Sequence, residues 1–337
     1  MSIKRAAAAA LATFLNLVPA LPAWAAEPIF HTRSYNAFTQ IYGRPEFFAG
    51  SMREGGSSEA RVTLNLVSFA EIDTSGTDGA ELDGETYHAL FSFSHNVTDR
   101  WEVAAQIPFL YHSGGFMDST VDNFHDLFGL PEGDRPNQGK DQLLFATLET
   151  SQTPFRLDSS TGGIGDVRLN SRYLLTAPGA NTRQFAVHAG LKLATGDSDD
   201  LLGSGAADYS VGVGYSDPVT LAGLRTTLSA HAGILVLGDG DVLSNQQEDT
   251  VSFGGVQLTF AATRRIALIA QLQGASSYYD SNLDILGSTT VQLAFGANVN
   301  FPESGWDWRF GIVEDGLSDV MPDFALHMEI SRLFGRR

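Results

Sequence analysis

Tyr87-His88-Ala89-Leu90-Phe91-Ser92-Phe93-Ser94 and Trp101-Glu102-Val103-Ala104-Ala105-Gln106-Ile107-Pro108-Phe109-Leu110-Tyr111 alternate with a period of two on either side of Val97-Thr98-Asp99-Arg100. Tyr87, Ala89, Phe91 and Phe93 share a face with Trp101, Val103, Ala105, Ile107, Phe109 and Tyr111. His88, Ser92, Ser94, Glu102 and Gln106 point the other way, because successive side chains leave opposite faces of the pleat. Each arm is about eleven residues long, roughly what a strand tilted by about 45° needs to cross a bilayer core. A soluble strand more often has about five or six residues. Aromatic residues at the strand ends suit the membrane interface. The hairpin reads as two staves of a transmembrane barrel.

The first 25 residues read as a secretory signal. Lys4 and Arg5 precede an apolar run from Ala6 to Val18, and Ala23-Trp24-Ala25 offers small residues at a cleavage site. Pro19 and Pro22 interrupt the run, which is too short for a membrane anchor. No later stretch approaches about eighteen consecutive apolar residues, which excludes a helical membrane protein. There is no cysteine and hence no disulfide framework. The formal charge is −18, and removing Lys4 and Arg5 leaves 19 basic against 39 acidic residues. That balance argues against nucleic acid as a partner.

Residues 26–58 precede the regular pattern. Pro45 and the glycines from Gly50 onward make them a poor membrane strand, and a periplasmic extension and a lumen plug both remain open. From residue 59 the staves follow one another. Val62, Leu64 and Leu66 mark the first, and the hairpin above is the next two. Gly165 to Leu175, Phe185 to Leu193, Tyr209 to Tyr215 and Leu224 to Ile234 continue the pattern. Val251 and Phe253 have the opposite parity to Val256, Leu258 and Phe260, which predicts a β-bulge at Gly254-Gly255. Ile266 to Leu272, Val291 to Phe301, Trp306 to Ile312 and Phe324 to Ile330 complete the set. The count is about twelve, and a single-chain barrel requires an even number.

Long connections (73–84, 112–162, 196–206, 238–249, 280–288, 314–322) alternate with short ones (97–100, 177–183, 217–222, 262–265, 302–305). Short periplasmic turns alternating with longer outside loops predict a closed antiparallel transmembrane β-barrel, all-β, in the bacterial outer membrane with both termini periplasmic. A soluble β-sandwich would not produce two alternating classes of connection. Outer-membrane lipid and lipopolysaccharide are the expected surroundings. The C-terminal strand ending at Phe334 is the expected contact for the barrel assembly machinery.

The sequence also resembles a family of Gram-negative outer-membrane proteins known as DUF3187. The resemblance is carried by Asn36 with Ile41-Tyr42-Gly43-Arg44-Pro45, by Ile107-Pro108-Phe109, and by Ser113-Gly114-Gly115-Phe116-Met117-Asp118. Phe124-His125-Asp126-Leu127-Phe128-Gly129-Leu130-Pro131, Gly163-Ile164-Gly165-Asp166-Val167-Arg168-Leu169, Leu191 to Asp197 and Gly203-Ser204-Gly205 extend it. It implies the barrel architecture and lends no activity. Lys192 to Asp197 is also similar to a segment of proposed aromatic-hydrocarbon channels.

Within the 113–131 insertion, Met117, Val121, Phe124 and Phe128 recur at helical spacing, with Asp118, Asp122, Asp126 and His125 on the other side. This predicts a short helix in the long second extracellular loop. It would be a lid over the pore, a helix in the outer leaflet with Asp118, Asp122 and His125 placed for a cation, or a helix packed on the rim. The inward residues Glu102, Asp166, Arg168, Arg172, His188, Lys192, Asp208, Arg225, His231, Asp307, Arg309, His327 and Glu329 predict a mixed-charge lumen. Such a lumen is either a water-filled pore for a small polar or amphipathic solute, or it is sealed by its own ion pairs and by residues 26–58 in a structural or surface-interaction barrel. Ser229 with His231, and His88 with Ser92, raise a third reading, a lipid hydrolase, but no nucleophile elbow or HExxH motif accompanies them. No cofactor, metal centre or enzymatic activity is expected.

Overall fold

The computed structural model describes residues 27–119, 139–148, 154–179, 182–221, 223–315 and 324–335. Its strands form one antiparallel sheet: β1 (Ser58–Ser75), β2 (Asp78–Thr98), β3 (Trp101–Ser113), β4 (Leu144–Leu148), β5 (Phe155–Leu157), β6 (Thr161–Ile164), β7 (Arg168–Leu174), β8 (Gln184–Lys192), β9 (Asp208–Leu221), β10 (Leu224–Val236), β11 (Thr250–Ala261), β12 (Ile266–Ala275), β13 (Thr290–Phe301), β14 (Trp306–Asp315) and β15 (Phe324–Phe334). The sheet closes because β1 pairs with β2 on one side and with β15 on the other, from Ser58↔Phe334 to Ser68↔Phe324. Closure leaves the wall without an edge strand. The wall has twelve staves, since β6 and β7 make one broken stave against β3, and β4 and β5 lie beyond it.

The alternation read from the hairpin holds in the wall. Phe91, Phe93, Ile107 and Phe109 are exposed on the outer face, while His88, Leu90, Glu102, Gln106 and Leu110 are buried inside. Trp101, Tyr173, Trp306 and Trp308 ring the short-turn end, as an interfacial girdle does. The stave break has a local cause: Pro108 has no N–H to donate, and its carbonyl accepts instead from Gly165 N (2.9 Å) between β6 and β7.

Three expectations change. The bulge at Gly254-Gly255 is not formed, because the β10–β11 register runs without a shift from Thr226↔Phe260 to Val236↔Thr250. Val251 and Phe253 face inward and are buried, since the lumen at that height is apolar. The 73–84 connection is mostly paired strand, turning at Gly76 (φ +65°). The left-handed backbone there suits glycine. The 112–162 insertion holds β4, laid against Gly79–Asp83 of β2, and β5. Of the expected loop helix, Met117 and Asp118 are described and buried; Val121, Asp122, Phe124, His125 and Phe128 lie outside the described residues. The 280–288 connection carries a one-turn helix, α1 (Asp284–Gly287), which the sequence reading did not contain. Among the described residues, no helix is long and apolar enough to cross a membrane.

Candidate functional site: the filled lumen

Residues 27–57 lie inside the barrel. The chain ascends from Pro28 to Asn36, turns where Thr39 N and Gln40 N donate to the Asn36 carbonyl, and descends from Gly43 to Gly55. Few of its own backbone groups pair with one another, so the wall must satisfy them. Inward glutamines do this for the ascending arm. Gln257 donates to the Pro28 carbonyl (2.9 Å) and accepts from Phe30 N (3.0 Å), and Gln271 donates to the Phe30 carbonyl (2.9 Å). A primary amide offers a donor and an acceptor side by side, so it can stand in for a neighbouring strand. The Phe30 ring needs space as well as partners: a Cβ on Gly296 would lie 2.5 Å from it, and one on Gly311 2.9 Å.

At the apex the contacts become apolar. Tyr35, Phe38, Ile41 and Tyr42 share one buried core with Phe145, Tyr278, Tyr279, Leu283 and Ile285 from the long-loop end. Just below, Lys192 is wholly buried between Asp166 (2.8 Å) and Asp208 (3.1 Å) and donates to the Ile41 carbonyl (3.2 Å) and to Ser204. Asp208 also accepts from Gly43 N (2.7 Å), and Arg168 donates to the carbonyls of Gln40 (3.3 Å) and Tyr42 (3.1 Å). Asp166 braces the loop after β8 by accepting from Thr195 N and Gly196 N (2.9 and 2.8 Å). Three wall residues from the expected list therefore clamp the apex through its backbone.

The descending arm inserts Phe47 and Phe48 between His188 and His231. The Phe48 ring stacks on His188 at 4.5 Å, and Phe47 lies 4.5 Å from His231. His327 bonds to Asn65 (2.8 Å), which also accepts from the Tyr35 hydroxyl (3.0 Å). Toward the short-turn end the lumen becomes charged. Glu102 bridges Arg172 (2.7 Å) and Arg53 (3.0 Å), Arg53 also holds Glu59 (2.5 Å), Arg61 holds Glu46, and Glu329 holds Arg309 and His31. Asp307 is half-buried and accepts from Asn300 (2.8 Å). Arg225 departs from its expected place. It sits one residue into β10, where the wall ends, and its side chain is exposed at the short-turn end.

These charges surround a cavity of about 470 Å³ that opens at the short-turn end. Ile29, Phe47, Phe48 and Met52 form its apolar inner surface, and Arg53, Arg61, Glu102, Arg172 and Arg309 its polar one. At its edge Glu27 accepts from Ser51 (2.9 Å), Ser216 (2.8 Å) and Ser229. Burial pushes the Glu27 carboxyl up to about 7, against the pull of the Ser216 and Ser51 hydroxyls and of Arg172.

Ser229 thus serves Glu27, and among the described residues neither ring nitrogen of His231 has a hydrogen-bond partner. The pair makes no nucleophile–base contact. His88 accepts from Arg33 (2.8 Å). Among the described residues no group of three potential ligands could hold a metal ion, and Asp118 accepts from Asp141 N (2.7 Å). Gln257, Gln271, Asn65 and Ser216 are wall contacts that the search for charge did not single out. Their signal was polarity at inward parity.

The barrel is similar to solved structures. The COG4313 outer membrane channel from Pseudomonas putida F1 aligns with a TM-score of 0.54 at 12% identity, covering 84% of this chain and 97% of that one. The Ralstonia pickettii toluene transporter TbuX aligns with a TM-score of 0.37 at 10% identity, covering 86% and 91%. The P. putida toluene transporter TodX aligns with a TM-score of 0.37 at 11% identity, covering 85% and 92%. The first of these likenesses supports the fold of an outer-membrane β-barrel. No curated protein matches the sequence. Residues 9–334 match the family described as "Protein of unknown function (DUF3187)", and with nearly its whole length matched the chain belongs to that family.

Proposed function

We propose that this barrel is a passive outer-membrane channel for a small amphipathic solute, held shut here by its own residues 27–57. The short turns and both termini face the periplasm in this reading. The observation that carries it is the cavity at the short-turn end. It is large enough for a small organic molecule, with an apolar surface from Phe47, Phe48 and Met52 opposite a wall of Arg–Glu pairs. Ligand sites combine apolar area with a few fixed polar groups in this way. The similarity to a channel supports the same reading at the level of the fold.

Opening requires residues 27–57 to leave the wall. Much of their hold is through side chains, among them Gln257, Gln271, Lys192 and Arg168. The wall closes through its own strand pairing. Conductance in planar bilayers is the test. The intact chain should conduct rarely, and a chain lacking residues 28–52 should conduct steadily, with ion selectivity that changes on neutralising Arg172 or Arg309.

A second reading is favoured by the apolar core at the long-loop end. There the segment packs like the interior of a soluble protein, as a permanent filling of a structural barrel would. Absence of conductance in both intact and shortened chains would establish it over the channel.

A further inference from the structure

The buried carboxylates of the lumen have partners. Glu46 is held by Arg61, Glu102 by Arg53 and Arg172, Asp166 and Asp208 by Lys192, and Glu329 by Arg309. The cations are not matched in return. Arg33 on the ascending arm and Arg44 on the descending arm are 5% and 3% exposed, and among the described residues neither makes an ion pair. Arg33 gives one hydrogen bond, from Nη2 to His88, and its Nη1 has no acceptor. Among the described residues Arg44 meets no carboxylate or carbonyl at either terminal nitrogen. The Tyr278 hydroxyl lies beside Arg44 and interacts with its guanidinium, and it meets no other hydrogen-bond partner among the described residues. The two arms run side by side here, Phe47 N donating to the Thr32 carbonyl (3.1 Å), and the two guanidinium charges repel one another. Glu46 attracts Arg33 but is turned toward Arg61 and Gln106.

A guanidinium removed from water without a counter-charge is strongly unfavourable, and a second one nearby adds to the cost. A water molecule would satisfy one or two N–H groups and leave both charges uncompensated. An oxyanion satisfies both requirements, because a guanidinium presents paired N–H groups at the spacing of carboxylate or phosphate oxygens. We propose that the lumen contains an anion site between the two arms, with Arg44 as its main ligand and Arg33 and the Tyr278 hydroxyl as further donors. It takes a small oxyanion, either free or as the acidic head of an amphipathic molecule. One arm supplies Arg33 and the other Arg44, so a bound anion also fastens the arms together. The site does not depend on whether the barrel conducts.

Thermal unfolding of the full mature chain in detergent tests this, with phosphate, acetate or octanoate added at an ionic strength held constant with chloride. The midpoint should rise by about 2 °C for each tenfold increase in a bound oxyanion above its dissociation constant. Arg44→Gln should abolish the rise, and Arg183→Gln, which removes an exposed ion pair with Asp217, should retain it. A rise with phosphate and acetate identifies a free oxyanion; a rise with octanoate alone identifies an acidic head on an apolar tail. No rise over chloride with any of the three, or an equal rise in Arg44→Gln, overturns the proposal. Should Arg44→Gln not fold, equilibrium dialysis of the wild-type chain against labelled phosphate, acetate and octanoate decides it. About one saturable site per chain for any of them supports the proposal, and none refutes it.

Discussion

The two ends of the lumen are built on the same strands and could hardly differ more. At the long-loop end the inward residues are Val67, Phe69, Leu235, Val251, Phe253 and Val313, and they close on Phe38 and Tyr42 as an apolar core. At the short-turn end, a few residues along the same staves, they are Arg61, Glu102, Arg172, Arg309 and Glu329 around an open cavity. Strand parity decides which face a side chain takes. It does not decide whether that face is a protein interior or a wet passage. The energetic consequence is an asymmetric hold on residues 27–57. Burying each large apolar side chain at the apex contributes roughly 1.5–3 kcal/mol. The attraction within the ion pairs of the other end is largely offset by the cost of taking both partners out of water. Release of the segment should therefore begin at the short-turn end.

The contrast is broken most directly at the apex. Lys192→Met leaves Asp166 and Asp208 buried without their cation, and the loss should be about 3–5 kcal/mol in equilibrium refolding. Phe38→Ala removes a wholly buried ring from the same end, and should cost a similar amount, about 3–5 kcal/mol. If either costs less than 1 kcal/mol, the apex is not a tightly packed core. The outer face offers a second comparison. Phe91→Arg, midway along the wall, should destabilise by about 2–4 kcal/mol in lipid, whereas Ser92→Arg on the inner face should be milder in the same titration. Equal losses would contradict the assignment of faces.

The short-turn end should respond less. Arg53→Gln removes bonds to Glu59 and Glu102 beside the cavity; Glu102 keeps Arg172, so the expected loss is smaller than the roughly 3–5 kcal/mol of a buried charge left alone. The smallest effect is a pH dependence at Glu27, whose carboxyl is raised in the folded chain to about 7. The folded state holds this proton more tightly than the unfolded chain, so its stabilising contribution is complete in acid. It fades as the pH rises from the ordinary carboxylate range through about 7. A spin label at Ile29 should become more mobile between pH 5 and pH 8, and Glu27→Gln should remove that change. Unchanged mobility in the wild-type chain would show that Glu27 does not fasten the arm.

Much of this architecture was legible in the residues alone. Period-two alternation from Tyr87 to Tyr111 and its recurrence to Ile330 determine strand, face and an even stave count, because pleat geometry is local and repeats without reference to the rest of the chain. Alternating connection lengths likewise determine an antiparallel barrel with its loops at one end. The reading failed at Val251 and Phe253, where apolar meant outward only as long as the lumen was assumed to be polar. It stayed open for residues 27–57, which have no period to read. Their place depends on contacts made across the barrel, Phe30 to Gln257, Arg168 to Gln40 and Lys192 to Ile41. Which inward groups meet follows from ring closure and from how the segment threads it. Local pattern carries no information about partners more than a hundred residues away, so the tertiary structure alone decided that this lumen is filled, with an apolar core clamped by Lys192 at one end and a charged cavity at the other.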